Sequence, residues 1–233
     1  MRTSSSRPSD TPSGDHPSGA PEPGTTPSGA ASPERVSGGR LAPGDSVPVR
    51  TLTPVVGPSL TVPDPGRAVH VQFRRFAGCP VCNLHLRSIV LRHDEIERAG
   101  IREVVLFHSP AGELREHVAR LPFAVVADPA KELYAEFGVE AHRRALTDPR
   151  GWPAIVRGVA LGARELLRGR GRLPAASQPA GRTGLPADFL IAPDGRIAAA
   201  KYGEHVYDQW SVDELLAHAA ASGAPPGTPG PTR

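Results

Sequence analysis

The sequence predicts an α/β fold in which helices flank a central mixed sheet. Between about residues 50 and 221, apolar runs alternate with helical patterns in the order βαβαβα, then an insert, then ββα. Strands separated by helices pair in parallel, and a hairpin near the end adds an antiparallel edge. The order of the elements therefore gives the fold class.

The first two strands enclose a long helix. Residues 69–73, VHVQF, alternate in polarity, which predicts a strand with one face less buried. A helix is expected from Pro80 to about Arg98, with Gly100 as its stop signal. The continuous apolar run at 104–107 predicts a strand covered on both faces.

Two further helices enclose the third strand. Residues 109–120 predict a helix with Ser109 as N-cap and Pro110 in the first turn. The apolar run at 123–127 predicts a strand, and residues 128–138 predict a helix that opens on Asp-Pro and ends at a glycine.

The last elements are a hairpin and a closing helix. Strands are expected at 189–192 and 196–202, joined by an Asp-Gly turn. Ser211 and Glu214 have the spacing of a capping box, which predicts the start of the final helix.

The insert, residues 142–182, is unusually basic. It holds nine arginines but only two acids, Asp148 and Glu165. Apolar residues at helical spacing predict an amphipathic basic helix, packed on the domain with a solvated arginine face. A lid over the thiol site, a dimer surface and a membrane-surface helix are the alternatives. The apolar residues are Trp152, Ile155, Val156, Val159, Leu166 and Leu167.

Composition predicts one folded domain, residues 49–222, between disordered tails. Residues 1–48 and 223–233 are rich in Ser, Pro, Gly and Thr and hold too little apolar surface to offset their ordering entropy. The N-terminus has no signal-peptide core, and the chain has no run of about 18 apolar residues. We therefore expect a cytoplasmic protein without a membrane span.

The net charge is small. It is +3, with a sequence pI of about 9.2. This is too little to predict nucleic-acid binding, and the arginines lack the interleaved aromatic residues of a single-strand binder. No nucleic-acid partner is therefore expected.

The only two cysteines, Cys79 and Cys82, lie where the first of these strands passes into a helix. Pro80 suits the first helical turn, which places Cys79 at or just before the N-cap and Cys82 inside the first turn. The positive end of the helix dipole favours a thiolate there, and the nearby Arg74 and Arg75 would strengthen that field. The second thiol is placed to attack a mixed disulfide or sulfenic acid formed on the first.

Zinc binding and inert packing are the alternatives to redox chemistry at this CxxC pair. A closed zinc site needs four ligands, and the chain has no second CxxC, so no metal or other cofactor is expected. An inert pair would pack as two small apolar side chains at the start of the helix. A CxxC at a strand-to-helix turn favours redox chemistry over both.

Three ordered segments carry a family resemblance: FRRFAGCPVC, DPAKELYAEFGV and LPADFLIAPDGRIAAAKYG. With them the chain resembles thioredoxin-fold proteins, most closely the peroxiredoxin-like branch of the alkyl hydroperoxide reductase C/thiol-specific antioxidant family. The resemblance covers about residues 50–221. It implies a thioredoxin-like fold and thiol-dependent activity toward peroxides or disulfides.

The resemblance leaves two assignments of the attacking thiol open. In thioredoxin-like proteins the first cysteine of the pair attacks, which here is Cys79, with Cys82 resolving. Typical peroxiredoxins carry Thr-x-x-Cys, on which pattern Cys82 is peroxidatic and Cys79 occupies the threonine position. Helix geometry favours Cys79, because the first residue is normally the more exposed.

One position departs from the peroxiredoxin pattern. Typical members carry an arginine just before the strand at 189–192, where this chain has Pro186, with Arg182 four residues earlier. Leu185-Pro186 resembles the thioredoxin cis-proline that packs against the CxxC. We therefore expect a cis bond and a supporting role for Pro186, with Arg75 as a second supporting residue.

The sequence as a whole predicts a thiol oxidoreductase, peroxiredoxin-like, that cycles a CxxC dithiol and disulfide. Its expected partners are a peroxide or disulfide substrate and an external reductant, either a thioredoxin-like donor or a low-molecular-weight thiol. A homodimer is a further expectation. The alternative function is a non-catalytic binding protein in which the same pair acts as a redox switch.

Overall fold

The computed structural model describes residues 39–139, 147–169, 173–174 and 181–223. The remaining parts of the predicted tails and of the insert lie outside the described residues.

The described chain contains seven strands, six α-helices and one short 3-10 helix, Pro149–Gly151. The strands are β1 Arg50–Leu52, β2 Leu60–Val62, β3 Ala68–Arg74, β4 Ile101–Phe107, β5 Ala124–Ala127, β6 Ala187–Ile191 and β7 Ile197–Tyr202. The helices are α1 Pro80–Leu91, α2 His93–Arg98, α3 Ala111–Val118, α4 Glu132–Glu136, α5 Trp152–Leu167 and α6 Val212–Ala221.

Five of these strands form one sheet in the order β5-β4-β3-β6-β7. The pairs β3–β4 and β4–β5 are parallel, whereas β6 is antiparallel to both β3 and β7. This arrangement confirms the predicted mixed sheet with an antiparallel edge. β1 and β2 form a separate antiparallel pair that the sequence analysis missed, because three-residue strands carry too little periodicity.

The folded region begins earlier than expected. Leu41 and Val47, placed in the predicted disordered tail, are buried in the core. The Gly44 N–H donates to the Ile197 carbonyl, and the Val47 N–H donates to the Gly195 carbonyl. Two apolar side chains and these backbone bonds are enough to attach residues 41–47 to the β6–β7 hairpin.

The expectation that β3 has a less buried face is wrong. Every residue of the strand is buried, including His70, Gln72 and Arg74 on its polar side. These side chains find partners on the two neighbouring strands, namely Glu103 of β4 and Asp188 of β6. The alternation of polar residues therefore marks a buried polar network rather than a solvated face.

The network pairs two cations with two carboxylates. His70 lies 3.0 Å from Glu103 and 3.3 Å from Asp188, and Arg74 donates to Asp188 at 2.8 Å. Gln72 donates to Glu103 and accepts from Arg74. Burial opposes protonation of His70, but the two carboxylates outweigh it and raise its pKa to about 9. The charges of β3, β4 and β6 thus compensate one another within the sheet.

Two predicted helix boundaries are also corrected. The long helix is divided at Arg92, whose backbone leaves the helical region at φ −117° and whose side chain bonds Glu95 and Asp213. Ser109 is not an N-cap: α3 begins after Pro110, and the Ser109 hydroxyl accepts the Ala77 N–H instead.

The insert helix α5 packs on α1 through small residues. Ala154 and Gly158 are buried, and a Cβ added at Gly158 would lie 2.8 Å from the Pro80 carbonyl oxygen. Of the six residues in the predicted apolar stripe, Ile155 packs against the core, but the other five face outward, which corrects the expectation that the whole stripe packs on the domain. The exposed residues are Trp152, Val156, Val159, Leu166 and Leu167.

Replacing Gly158 tests this close approach. We expect Gly158→Ala to lower the free energy of unfolding by about 1–3 kcal/mol, because the new methyl group overlaps the Pro80 carbonyl. Gly162→Ala on the same helix is the matched control, since its Cβ would meet nothing within 4 Å. The control is expected to stabilise by about 0.5–1 kcal/mol, and equal effects in urea unfolding would contradict the packing.

The buried network predicts a pH dependence of stability. The folded pKa of His70, about 9, lies above its ordinary value of 6.5, so its contribution is complete below pH 6.5 and is lost as pH rises through 9. His70→Gln should lower the free energy of unfolding by about 3 kcal/mol at pH 7, because it removes one partner of the buried ion pairs. The variant should also show a weaker dependence of that free energy on pH between 6.5 and 9. His93→Gln, at the partly exposed start of α2, is the control in urea unfolding at several pH values. A variant with the wild-type pH profile would contradict this account.

Candidate active site

The turn between β3 and α1 places both cysteines as predicted. Cys79 is the N-cap of α1, and its sulfur accepts the Cys82 N–H at 3.3 Å. Gly78 precedes it with φ +71°, and a Cβ there would lie 2.8 Å from His117 of α3. The backbone conformation therefore favours a glycine, and any larger residue would also displace the His117 side chain.

Both cysteines are free thiols and both are buried. Their relative exposures are 0% for Cys79 and 5% for Cys82. The expectation that Cys79 is the more exposed is therefore wrong. The reason lies in the packing around the helix start, where α5 contacts Pro80 and His117 covers Gly78.

Arg75 supplies a cation to this buried pair. Its side chain is only 4% exposed, and Nη2 donates to the Cys79 sulfur at 3.0 Å. Nη1 donates to the Arg182 carbonyl at 3.3 Å, and the guanidinium lies 5.5 Å from the ring of Phe76. The predicted supporting residue Arg75 is thus in direct contact with the thiol site.

The two thiols ionise as one unit, in two unequal steps. Burial opposes ionisation of Cys82, but a hydrogen bond from Cys79 and the charge of Arg75 outweigh it and lower the pKa of Cys82 to about 6. The backbone of Arg75 and the charge of Arg74 act in the same direction. Burial and the Cys82 sulfur then raise the pKa of Cys79. These opposite shifts favour one thiolate beside one thiol at neutral pH.

Pro186 does not supply the expected cis bond. Among the described residues, the cis peptide bond is Val62–Pro63, so Leu185–Pro186 is trans. Pro186 directly precedes β6, its carbonyl accepts the Gly203 N–H at 2.8 Å, and a Cβ on Gly203 would lie 2.7 Å from its ring. These contacts fix Pro186 at the start of β6 in an extended chain that leads into the strand.

His108, at the carboxyl end of β4, lies beside the site and is not the solvated loop residue that its position in the sequence favours. A solvated loop histidine is typical after a strand such as β4, yet His108 is buried, and its backbone N–H donates to the Arg75 carbonyl. Gly184 lies between the two side chains. A Cβ added at Gly184 would lie 3.3 Å from the Arg75 side chain and 3.4 Å from the His108 side chain. Burial, then Lys131 and Arg75, lower the pKa of His108 to about 4, so the imidazole is neutral.

Metal ligands do not cluster in the part of the chain that the structure describes. There, no three His, Cys, Asp or Glu side chains come together as a metal site. Every helix described is too short or too polar to span a bilayer.

Removing the Arg75 charge tests the electrostatics of the pair. We expect Arg75→Gln to raise the pKa of Cys82 from about 6 toward the free-thiol value of about 8.5, which lowers alkylation by iodoacetamide at pH 7 about 30-fold. Each cysteine is followed separately by mass spectrometry across pH. Arg98→Gln is the control, because Arg98 is exposed at the end of α2, before β4. An unchanged profile in Arg75→Gln would contradict the assignment.

Comparison with solved structures shows proteins of similar fold. The chain is similar to peroxidoxin BcpB from Mycobacterium tuberculosis, with 18% identity and a TM-score of 0.54 over 78% of this chain and 98% of that chain. Mycobacterium tuberculosis AhpC is similar with 16% identity and a TM-score of 0.55, over 78% of this chain and 93% of that chain. A peroxiredoxin-like protein from Aquifex aeolicus is similar with 14% identity and a TM-score of 0.50, over 79% of this chain and 90% of that chain. Identities this low establish the fold alone.

Sequence comparison gives the family. No curated protein sequence matches significantly. The family profile described as AhpC/TSA antioxidant enzyme matches residues 88–205, just over half of the chain. This stretch starts after both cysteines and extends through the insert to the end of β7. The chain therefore belongs to the AhpC/TSA antioxidant enzyme family.

Proposed function

We propose that this protein is a peroxiredoxin-like thiol peroxidase whose CxxC pair alternates between dithiol and disulfide. The contact between the buried Arg75 guanidinium and the thiols at the start of α1 carries the proposal. A cation held in a site of low dielectric stabilises a thiolate strongly, and the thiolate is the nucleophile in peroxide reduction.

Cys82 is the better candidate for the attacking thiolate. Its pKa is lowered to about 6, whereas burial raises the pKa of Cys79. The hydrogen bonds from Arg75 Nη2 and from the Cys82 N–H both reach the Cys79 sulfur, so the choice of Cys82 rests on the order of ionisation and not on these donors. Cys82 is also the second cysteine of the motif, which is the peroxidatic position of typical peroxiredoxins. The helix-geometry preference for Cys79 loses its basis, since Cys79 is fully buried.

The reaction follows in two balanced steps. The Cys82 thiolate attacks one peroxide oxygen, the O–O bond breaks, and the leaving alkoxide or hydroxide takes a proton, which leaves a Cys82 sulfenic acid. The Cys79 thiol then condenses with that sulfenic acid, forming the disulfide and releasing water. An external dithiol or two monothiols return two electrons and two protons to complete the cycle.

Arg75 replaces the family arginine that the sequence lacks before β6. Arg75 follows β3 and reaches the thiols from that strand. Its Nη1 donates to the carbonyl of Arg182, which lies in the segment before β6 where the family arginine is expected. We propose that Arg75 holds the thiolate and orients the peroxide by hydrogen bonding. Pro186 then has a structural role at the start of β6.

A redox-responsive binding protein is the second candidate. The observation that favours it is the contact of α5 with Pro80, which couples the thiol site to a helix with an exposed apolar face. Catalytic turnover distinguishes the two, because a switch consumes about one equivalent of oxidant. A cytoplasmic location and a homodimer stay predictions.

Peroxide consumption with a thioredoxin system or dithiothreitol as reductant tests the proposal. Cys82→Ser should consume peroxide only at the background rate. Cys79→Ser should form a Cys82 sulfenic acid that dimedone traps, but should give no intramolecular disulfide. Sulfenic acid trapped on Cys79 in Cys82→Ser, with none on Cys82 in Cys79→Ser, would reverse the two roles. One equivalent consumed by the wild type, without turnover, would favour the switch.

A further inference from the structure

Arg75 has an unusual charge balance. Burial opposes its charge, and the groups that raise its pKa are the two cysteine sulfurs, Cys79 first. Among the described residues, no carboxylate forms an ion pair with Arg75. Its Nε atom is buried and has no hydrogen-bond partner there. In the dithiol form, the thiolate is therefore the anion that compensates this guanidinium.

Formation of the disulfide removes that compensation. A disulfide carries no charge, so Arg75, which is only 4% exposed, is left without a counterion among the described residues. A buried cation without a partner is strongly unfavourable, and its guanidinium still presents several donors to any anion that reaches it. The oxidised site is thus more receptive to an anion than the reduced site.

A second guanidinium lies beside the first. Arg182 is exposed, and its Cζ atom lies 5.5 Å from the ring of Phe76, the same distance as that of Arg75. The Arg182 carbonyl also accepts from Arg75. One exposed cation and one buried cation therefore border a single aromatic ring, so the positive charge of the site extends to the protein surface.

We propose that the disulfide form is an anion site formed by Arg75 and Arg182, and that it selects thiol reductants bearing a carboxylate. This rests on the proposed function, because it concerns the reductive half of that cycle. A reductant thiolate attacks one sulfur of the disulfide and releases the other as a thiolate beside Arg75. A second thiolate cleaves the mixed disulfide, giving the oxidised reductant and the second cysteine, and one proton is taken up.

Reduction kinetics with a matched series of thiols test this selectivity. The disulfide is prepared with diamide, so peroxide chemistry is not required. Rate constants per thiolate are then measured for thioglycolate, 2-mercaptoethanol and cysteamine, which carry an anionic, a neutral and a cationic group. After division by the constants of the same thiols with a small neutral disulfide, which removes the effect of thiol pKa on nucleophilicity, we expect thioglycolate to exceed 2-mercaptoethanol by about tenfold, with cysteamine the slowest. Equal constants, or the reverse order, would overturn the proposal.

A variant and a binding measurement assign the effect to the two arginines. Arg182→Gln should reduce the thioglycolate preference at least about threefold, whereas Arg98→Gln, at the exposed end of α2, should keep it. At constant ionic strength, (methylthio)acetate should raise the melting temperature of the disulfide form but not of the dithiol form, and its neutral amide should raise neither. Equal shifts in both redox forms, or an unchanged preference in Arg182→Gln, would overturn the assignment.

The outcomes also separate this proposal from the peroxidase. Thiol selectivity without peroxide turnover would reject the peroxidase and keep the anion site. Peroxide turnover without thiol selectivity would reject the anion site and keep the peroxidase. A chain that forms no Cys79–Cys82 disulfide with diamide would reject both.

Discussion

Compensation of buried charge on β3 is the constraint on which the rest of the structure depends. β3 is the central strand, and its polar side chains are buried between β4 and β6. Each of those charges needs a partner, and Glu103 and Asp188 provide them from the adjacent strands. Register along three strands is thereby fixed by ion pairs as well as by backbone bonds. Removing any one member would leave an opposite charge in the core.

The same constraint explains why two adjacent arginines have different roles. Arg74 is the last residue of β3 and is held by Asp188, so its charge is already balanced within the sheet. Arg75, one residue later, leaves the sheet and reaches the cysteines instead. Within the described part of the chain, charge balance in the core therefore leaves the buried Arg75 guanidinium for the thiols. The redox state of Cys79 and Cys82 then decides whether that cation is compensated.

Local rules predicted the parts of this molecule that local interactions determine. The start of α1 at Pro80 and the Ser211 capping box were both confirmed, since each depends on neighbouring residues alone. The buried polar face of β3 was not predicted, because alternation cannot distinguish solvent from carboxylates more than 30 residues away, such as Glu103 for His70. The cis bond expected at Pro186 was wrong because it rested on a resemblance rather than on contacts of this chain.

The central claim is that Cys79 and Cys82 act as one redox unit. Intact mass spectrometry after treatment with one equivalent of hydrogen peroxide tests this claim most directly. The account predicts quantitative loss of about 2 Da, with a peptide map that joins Cys79 to Cys82. An unchanged mass, or stable addition of oxygen without a disulfide, would contradict it. An unchanged mass would mean that the start of α1 is a packed structural feature with inert thiols. Stable addition of oxygen would mean that only one of the two thiols is reactive.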